Sequence, residues 1–170
     1  GPKRGRGEKD MERYTIGIDL GGTNIKAGVL NARRQLLCKA SRPTGAQRPW
    51  QEVADDMAAL VLELIKQAGV DRRACAGVGV GCPGTIDAAA GRVLYSNNLK
   101  GWVDVPLAEH IGSALGLPVR LSNDANCAAL GECLAGAARD CGSAVLLTLG
   151  TGVGGGVVWN GRVIEGGPGG

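Results

Sequence analysis

The chain has 170 residues, 44% of them apolar, which is enough side-chain bulk for one packed domain and part of another. Glycine stands out at 30 residues against only 7 prolines, and no Gly-x-x period runs through the chain, so neither collagen nor a low-complexity tract fits. With no Phe, three Trp, two Tyr and a net charge of only +3, the chain lacks both the stacking surface and the basic footprint that nucleic acid demands.

In chain order, Gly1–Asp10 holds four basic and two acidic residues and is expected to be a disordered, solvated tail, with Gly1-Pro2 matching a protease remnant. The other residues carry 15 basic against 14 acidic side chains, which gives no reason to expect a DNA or membrane partner. Tyr14 to Leu20 and Asn24 to Leu30 are apolar runs around Gly21-Gly22 and read as a hairpin, followed by a strand at Gln35 to Ala40. Between Trp50 and Ala68, the spacing of Val53, Met57, Leu60, Val61, Leu64 and Ile65 predicts an amphipathic helix closed by Gly69. A strand at Cys75 to Val80 leads into the loop Gly81-Cys82-Pro83-Gly84. A second helix opens at Pro106, with Leu107, Ile111 and Leu115 on one face and His110 off that stripe, as a surface histidine would be. Pro118 to Ser122 reads as a strand, Asp124 to Ala138 as a small-residue helix, and Ser143 to Trp159 as a strand, turn and strand centred on Gly150. The fold class is therefore α/β.

The first and last hairpins match at an offset of 129: Ile18-Asp19-Leu20-Gly21-Gly22-Thr23 against Leu147-Thr148-Leu149-Gly150-Thr151-Gly152. So long an offset predicts two similar lobes, the second of them cut short at Gly170. We expect an N-terminal lobe over residues 11–122 and the beginning of a second over residues 123–170.

Glycine turns of this kind can aim consecutive backbone N–H groups at an anion with no Cβ in the way, which suits phosphate. Asp19 would be a poor neighbour for phosphate unless magnesium, held mostly through water, lay between them. Gly150-x-Gly152-x-x-Gly155 fits the dinucleotide fingerprint by letter, but a strand follows where that motif needs a helix. No Gly-Lys-Ser/Thr triplet is present, so there is no P-loop. Asn123-Asp124 joins a strand to a helix. An ordinary N-cap explains one such residue; the pair also supplies an amide and a base where α/β ligand clefts lie, as a sugar site requires. The six cysteines form no C-x-x-C pair and have no histidine at metal spacing, so buried thiols in a reducing compartment are expected, with Cys82 nearest the chemistry. No apolar run reaches the ~18 residues of a membrane span and no secretory segment opens the chain, which points to the cytoplasm.

These residues resemble the ROK family (repressor, open reading frame, kinase) of the actin-like ATPase superfamily, and within it the glucokinases. The resemblance rests on Gly17–Thr23, Gly79–Gly84, Asn97–Trp102, Asn123–Glu132 and Thr148–Gly156, five blocks in family order that extend from about Tyr14 to the end of the chain. It implies an actin-like, ribonuclease H-like lobe with a mixed sheet, plus the start of a second similar lobe. It implies ATP-dependent phosphorylation of a hexose, most simply glucose to glucose 6-phosphate, in a homo-oligomer. Asp19, Gly21, Gly22 and Thr23 would form one phosphate element and Gly150, Thr151 and Gly152 the other, with magnesium on Asp19 through water. Asp124 would be the general base, Asn123 would hold a neighbouring hydroxyl, and Gly84, Asn97 and Asn98 would line the sugar pocket. Lys26 would either approach the phosphates or be an ordinary surface lysine. The family's zinc-bound cysteine cluster and adenine-holding region have no counterpart in this stretch, so zinc is expected only beyond it, and the chain alone is expected to be inactive.

Three alternatives stand beside that assignment. N-acetylmannosamine or fructose could be the acceptor, against which the Asn98-Leu99-Lys100-Gly101-Trp102 stretch weighs. A ROK repressor would need a helix-turn-helix module, for which thirteen residues before the first strand leave too little room. A non-sugar actin-like ATPase would have no use for the Asn123-Asp124 pair.

Overall fold

The computed structural model describes residues 13–149 and 153–166. Its centre is a five-stranded mixed sheet in the order β3-β2-β1-β4-β8. The hairpin β1 (Tyr14–Leu20) and β2 (Asn24–Leu30) is antiparallel and continues into β3 (Leu36–Pro43), while β4 (Cys75–Cys82) and β8 (Val119–Asn123) add in parallel on the other side of β1.

Helix α1 (Trp50–Gln67) and helix α2 (Leu107–Leu115) pack against each other and against this sheet. The predicted stripe on α1 is the one that is buried, with Val53, Met57, Val61 and Leu64 fully enclosed against Ile16, Leu20, Ile25 and Val29 of the hairpin. A helix with one apolar stripe and a sheet with one apolar face have no other way to remove both surfaces from water. Gly69, at φ 67°, turns the chain out of α1 as its amide bonds the Lys66 carbonyl.

Between β4 and α2, three short strands form a separate small sheet: β5 (Thr85–Asp87), β6 (Arg92–Tyr95) and β7 (Val103–Val105). They fall in a stretch where the sequence offers only three or four residues per strand, too few to show a period. Helix α3 (Asp124–Ala135) ends three residues before its expected limit, because the Glu132 carboxylate accepts the Ala137 amide at 2.7 Å and draws the chain into a turn.

The last three strands, β9 (Ser143–Leu149), β10 (Val153–Trp159) and β11 (Arg162–Ile164), make their own antiparallel sheet. β9 and β10 repeat the bounds of β1 and β2 at the offset of 129 seen in the sequence. α3 lies on this sheet, and the glycines of β10 explain how closely: a Cβ on Gly156 would sit 2.7 Å from the Ala129 Cβ and 2.7 Å from the Ala125 carbonyl oxygen. The glycine run is thus a strand that admits a helix, as its sequence context requires.

Candidate active site

The three parallel strands β1, β4 and β8 end side by side, with Asp19 opposite Gly81, Gly81 opposite Ser122 and Cys82 opposite Asn123. Carboxyl ends of parallel strands are where α/β proteins place ligand clefts, since loops diverge there and the backbone is free of sheet pairing. Asp19, Gly81, Asp124, Cys127 and Ala128 line a cavity of about 310 Å³ at this edge.

Asp19 is the penultimate residue of β1 and opens to solvent, yet the sheet behind it strips away part of its hydration. That desolvation, and then the charge of Asp124, push its carboxyl above the usual carboxylate range, while Lys26 opposes them. Lys26 is the cross-strand partner of Asp19 and is exposed beside it, bordering a larger groove of about 830 Å³.

The turn after β1 is tight. The Gly21 amide bonds the Asn24 carbonyl at 3.0 Å, and a Cβ on Gly21 would lie 2.8 Å from that same oxygen. Gly22 lies against Asn98, whose Cβ and carbonyl oxygen are 3.5 Å from where a Gly22 Cβ would be. The Asn97–Asn98 loop therefore sits beside the turn; both asparagines are exposed, and the Lys100 amide ties the loop to the Ala46 carbonyl at 2.9 Å.

Asn123 is an N-cap: its Oδ1 accepts the Ala125 amide at 3.0 Å and the Asn126 amide at 3.3 Å. Its Nδ2 donates to the Gly84 carbonyl at 3.1 Å. The acceptor side of this amide is therefore committed to α3, and what it can offer a hydroxyl is its second N–H. Gly84 adopts φ 101°, and a Cβ there would overlap the Tyr95 carbonyl oxygen, so both its backbone and its surroundings call for glycine. Asp124 opens α3, where the unpaired amides of a first turn favour a carboxylate, and its Oδ1 accepts the Ala125 amide at 2.9 Å. Among the described residues its other oxygen accepts no hydrogen bond, and Asp124 borders the cavity.

The structure thus brings Asp19, Gly21, Gly22, Asn98, Gly84, Asn123 and Asp124 to one edge. Gly150, Thr151 and Gly152 lie outside the described residues. Cys82 is fully enclosed, and burial pushes its thiol far up, which removes it from chemistry. Cys127, which lies in the Asn123–Glu132 block with no role implied for it there, is the cysteine at the cavity; its thiol too is raised, by desolvation first and then by Asp124 and Asp19, against a lowering hydrogen bond with Ser122. His110 is not a free surface histidine: its Nε2 lies 2.7 Å from an Asp55 oxygen and its ring meets Trp50 edge-on at 5.2 Å, so it fastens α2 to α1. Leu99 and Trp102 are core residues, while Asn98 and Lys100 of the same stretch are exposed.

Among the described residues no cluster of three or more His, Cys, Asp or Glu could cage a metal, and no helix is long and apolar enough to cross a membrane. Asp19 and Asp124 border the same cavity, and carboxylates are the ligands that a magnesium ion keeping most of its water would use.

The ROK family model matches residues 15–170. The chain belongs to the ROK family. It is 39% identical over 151 residues to a glucokinase of Thermotoga maritima, covering 89% of this chain and 46% of that protein. It is 32% identical over 151 residues to a putative xylose repressor of Caldicellulosiruptor sp., covering 89% of this chain and 38% of the other. The fold matches a ROK glucokinase of Streptomyces griseus in complex with glucose and AMPPNP at a TM-score of 0.81 and 34% identity, over 92% of this chain and 47% of that one. This ROK chain therefore spans less than half of each relative, with the mixed sheet of the actin-like ATPase fold.

Proposed function

We propose that this protein is a ROK sugar kinase that transfers the γ-phosphoryl group of ATP to a hexose, glucose first among the candidates. The observation that carries this is the meeting of Asp19 and Asp124 at one cavity, beside a glycine turn on one side and the Asn123–Gly84 contact on the other. The similarity to sugar kinases, one bound to glucose and AMPPNP, supports it.

In this assignment the Gly21–Thr23 turn binds the phosphates, together with Gly150, Thr151 and Gly152 from the second hairpin. Asp19 would hold magnesium through water, and the ion would supply neutralisation of the phosphate charge. Asn123 donates its remaining N–H to a sugar hydroxyl, and Asn97, Asn98 and Gly84 border the ring. Asp124 takes the proton of the reacting hydroxyl as its oxygen bonds the γ-phosphorus and the bond to the leaving ADP oxygen breaks. We place the boundary between an N-terminal lobe and the beginning of a second lobe between residues 122 and 123, at the last residue of β8 and just before α3 opens. A homo-oligomer and a cytoplasmic location go with this assignment.

A panel of glucose, N-acetylmannosamine, N-acetylglucosamine, fructose and mannose, each offered with ATP to the full-length protein, tests it. Glucose is expected to give the highest kcat/KM; failure of every sugar to accept phosphate would contradict the assignment. A sugar-responsive repressor is the second possibility, favoured by the 32% identity to the putative xylose repressor, and it predicts a salt-dependent shift of operator DNA that sugar reverses.

A further inference from the structure

Thr44, just past the end of β3, belongs to no motif in the sequence, yet it is a polar residue with no exposed surface. Both ends of it grip the Gly21–Thr23 turn. Its hydroxyl donates to the Gly21 carbonyl at 2.6 Å, and its amide donates to the Thr23 carbonyl at 2.8 Å. Its own carbonyl accepts the Arg48 guanidinium at 2.8 Å, and the same nitrogen reaches an Asp56 oxygen on α1 at 2.7 Å. A chain of hydrogen bonds therefore runs from the side of the longest helix to the backbone of the turn.

The direction of these bonds matters. In a planar trans peptide the C=O and N–H point in opposite senses. By drawing the Gly21 carbonyl towards the buried side, Thr44 turns the Gly22 amide the other way. In a turn of two glycines nothing else about the side chains would fix that orientation, because glycine takes either sign of φ at little cost.

We propose that Thr44 is a positioning residue for the phosphoryl donor: through its hydroxyl it holds the Gly21-Gly22 peptide with the N–H presented to phosphate. The inference rests on the assignment of that turn as a phosphate element. It makes Thr44 specific to the donor, since its hydroxyl touches the turn and not the Asn97–Asn98 loop or Asn123.

The experiment is steady-state kinetics of the full-length protein with Mg-ATP and its best sugar, for wild type, Thr44→Val and Thr44→Ser, with the melting temperature of each. Thr44→Val keeps the shape and loses the donor; it is expected to raise KM for ATP about tenfold with KM for the sugar within twofold of wild type. Thr44→Ser restores a hydroxyl and is expected to return KM for ATP to within about twofold. An unchanged KM for ATP in Thr44→Val, or equal rises for both substrates, overturns the inference. Should Thr44→Val not fold, Thr44→Ala carries the same expectation. If neither folds while Thr44→Ser does, Thr44 serves folding alone and the inference falls. Wild type that phosphorylates no sugar and binds no Mg-ATP would instead overturn the kinase assignment itself, a result visible before any variant is made.

Discussion

At the scale of single residues, Asp124 and Asp19 are both carboxylates at one cavity, and their surroundings divide the work between them. Asp124 keeps one oxygen on the Ala125 amide and the other free for a proton. General-base assistance is worth ~10²–10⁴-fold in rate. Asp124→Asn in the full-length protein should therefore lose turnover by about that factor while calorimetry still detects sugar binding. Asp19 makes a prediction of opposite sign for stability. Its folded-state carboxyl is raised, so the native state binds the proton more tightly than the unfolded chain, and stability falls as pH rises from the ordinary carboxylate value of 3.8 through the raised one. Asp19→Asn should consequently melt higher than wild type at pH 7, with the difference shrinking as pH is lowered through that window, and should lose ATP turnover. A lower melting temperature at pH 7 would show that Lys26, not desolvation and Asp124, dominates the local field.

At the scale of elements, what could be foreseen from the sequence depended on length and period. α1 was legible because eighteen residues give five turns in which one stripe repeats, and β1 to β4 because Gly and Asn bracket runs of branched residues. β5, β6 and β7 were not, since three or four residues carry no period and their pairing depends on Tyr95 meeting Thr85 and Val103 across the sheet. Candidate residues followed the same division. Asp19, Asn123 and Asp124 sit at strand ends and could be located; Thr44 takes its meaning from contacts with an element distant in sequence, which no local pattern encodes. The small sheet also sets a test of its own. Gly84 holds φ 101° against the Tyr95 carbonyl, so Gly84→Ala should cost ~1–3 kcal/mol of unfolding free energy, read from denaturant titration, because it combines a left-handed strain with a backbone clash. It should also weaken sugar binding, as the Gly84 carbonyl anchors Asn123.

At the scale of the molecule, two hairpins of one design face different partners. The first is covered by α1; the second carries α3 on one face and leaves Val145, Leu147, Leu149, Val153 and Trp159 exposed on the other. α3 is the hinge piece of this arrangement, for its first residues form the cavity edge with Asp19 while Ala125 and Ala129 rest on the glycines of β10. Gly156→Val would push a branched side chain into that contact and is expected to destabilise the protein by ~1–3 kcal/mol, measured by thermal or denaturant unfolding. In the proposed kinase a phosphate turn and a sugar-activating acid share one cleft. The most direct measurement is ADP release by the full-length protein with and without glucose. Release that requires glucose and matches glucose 6-phosphate mole for mole is the expected result; release at the same rate without any sugar would contradict it.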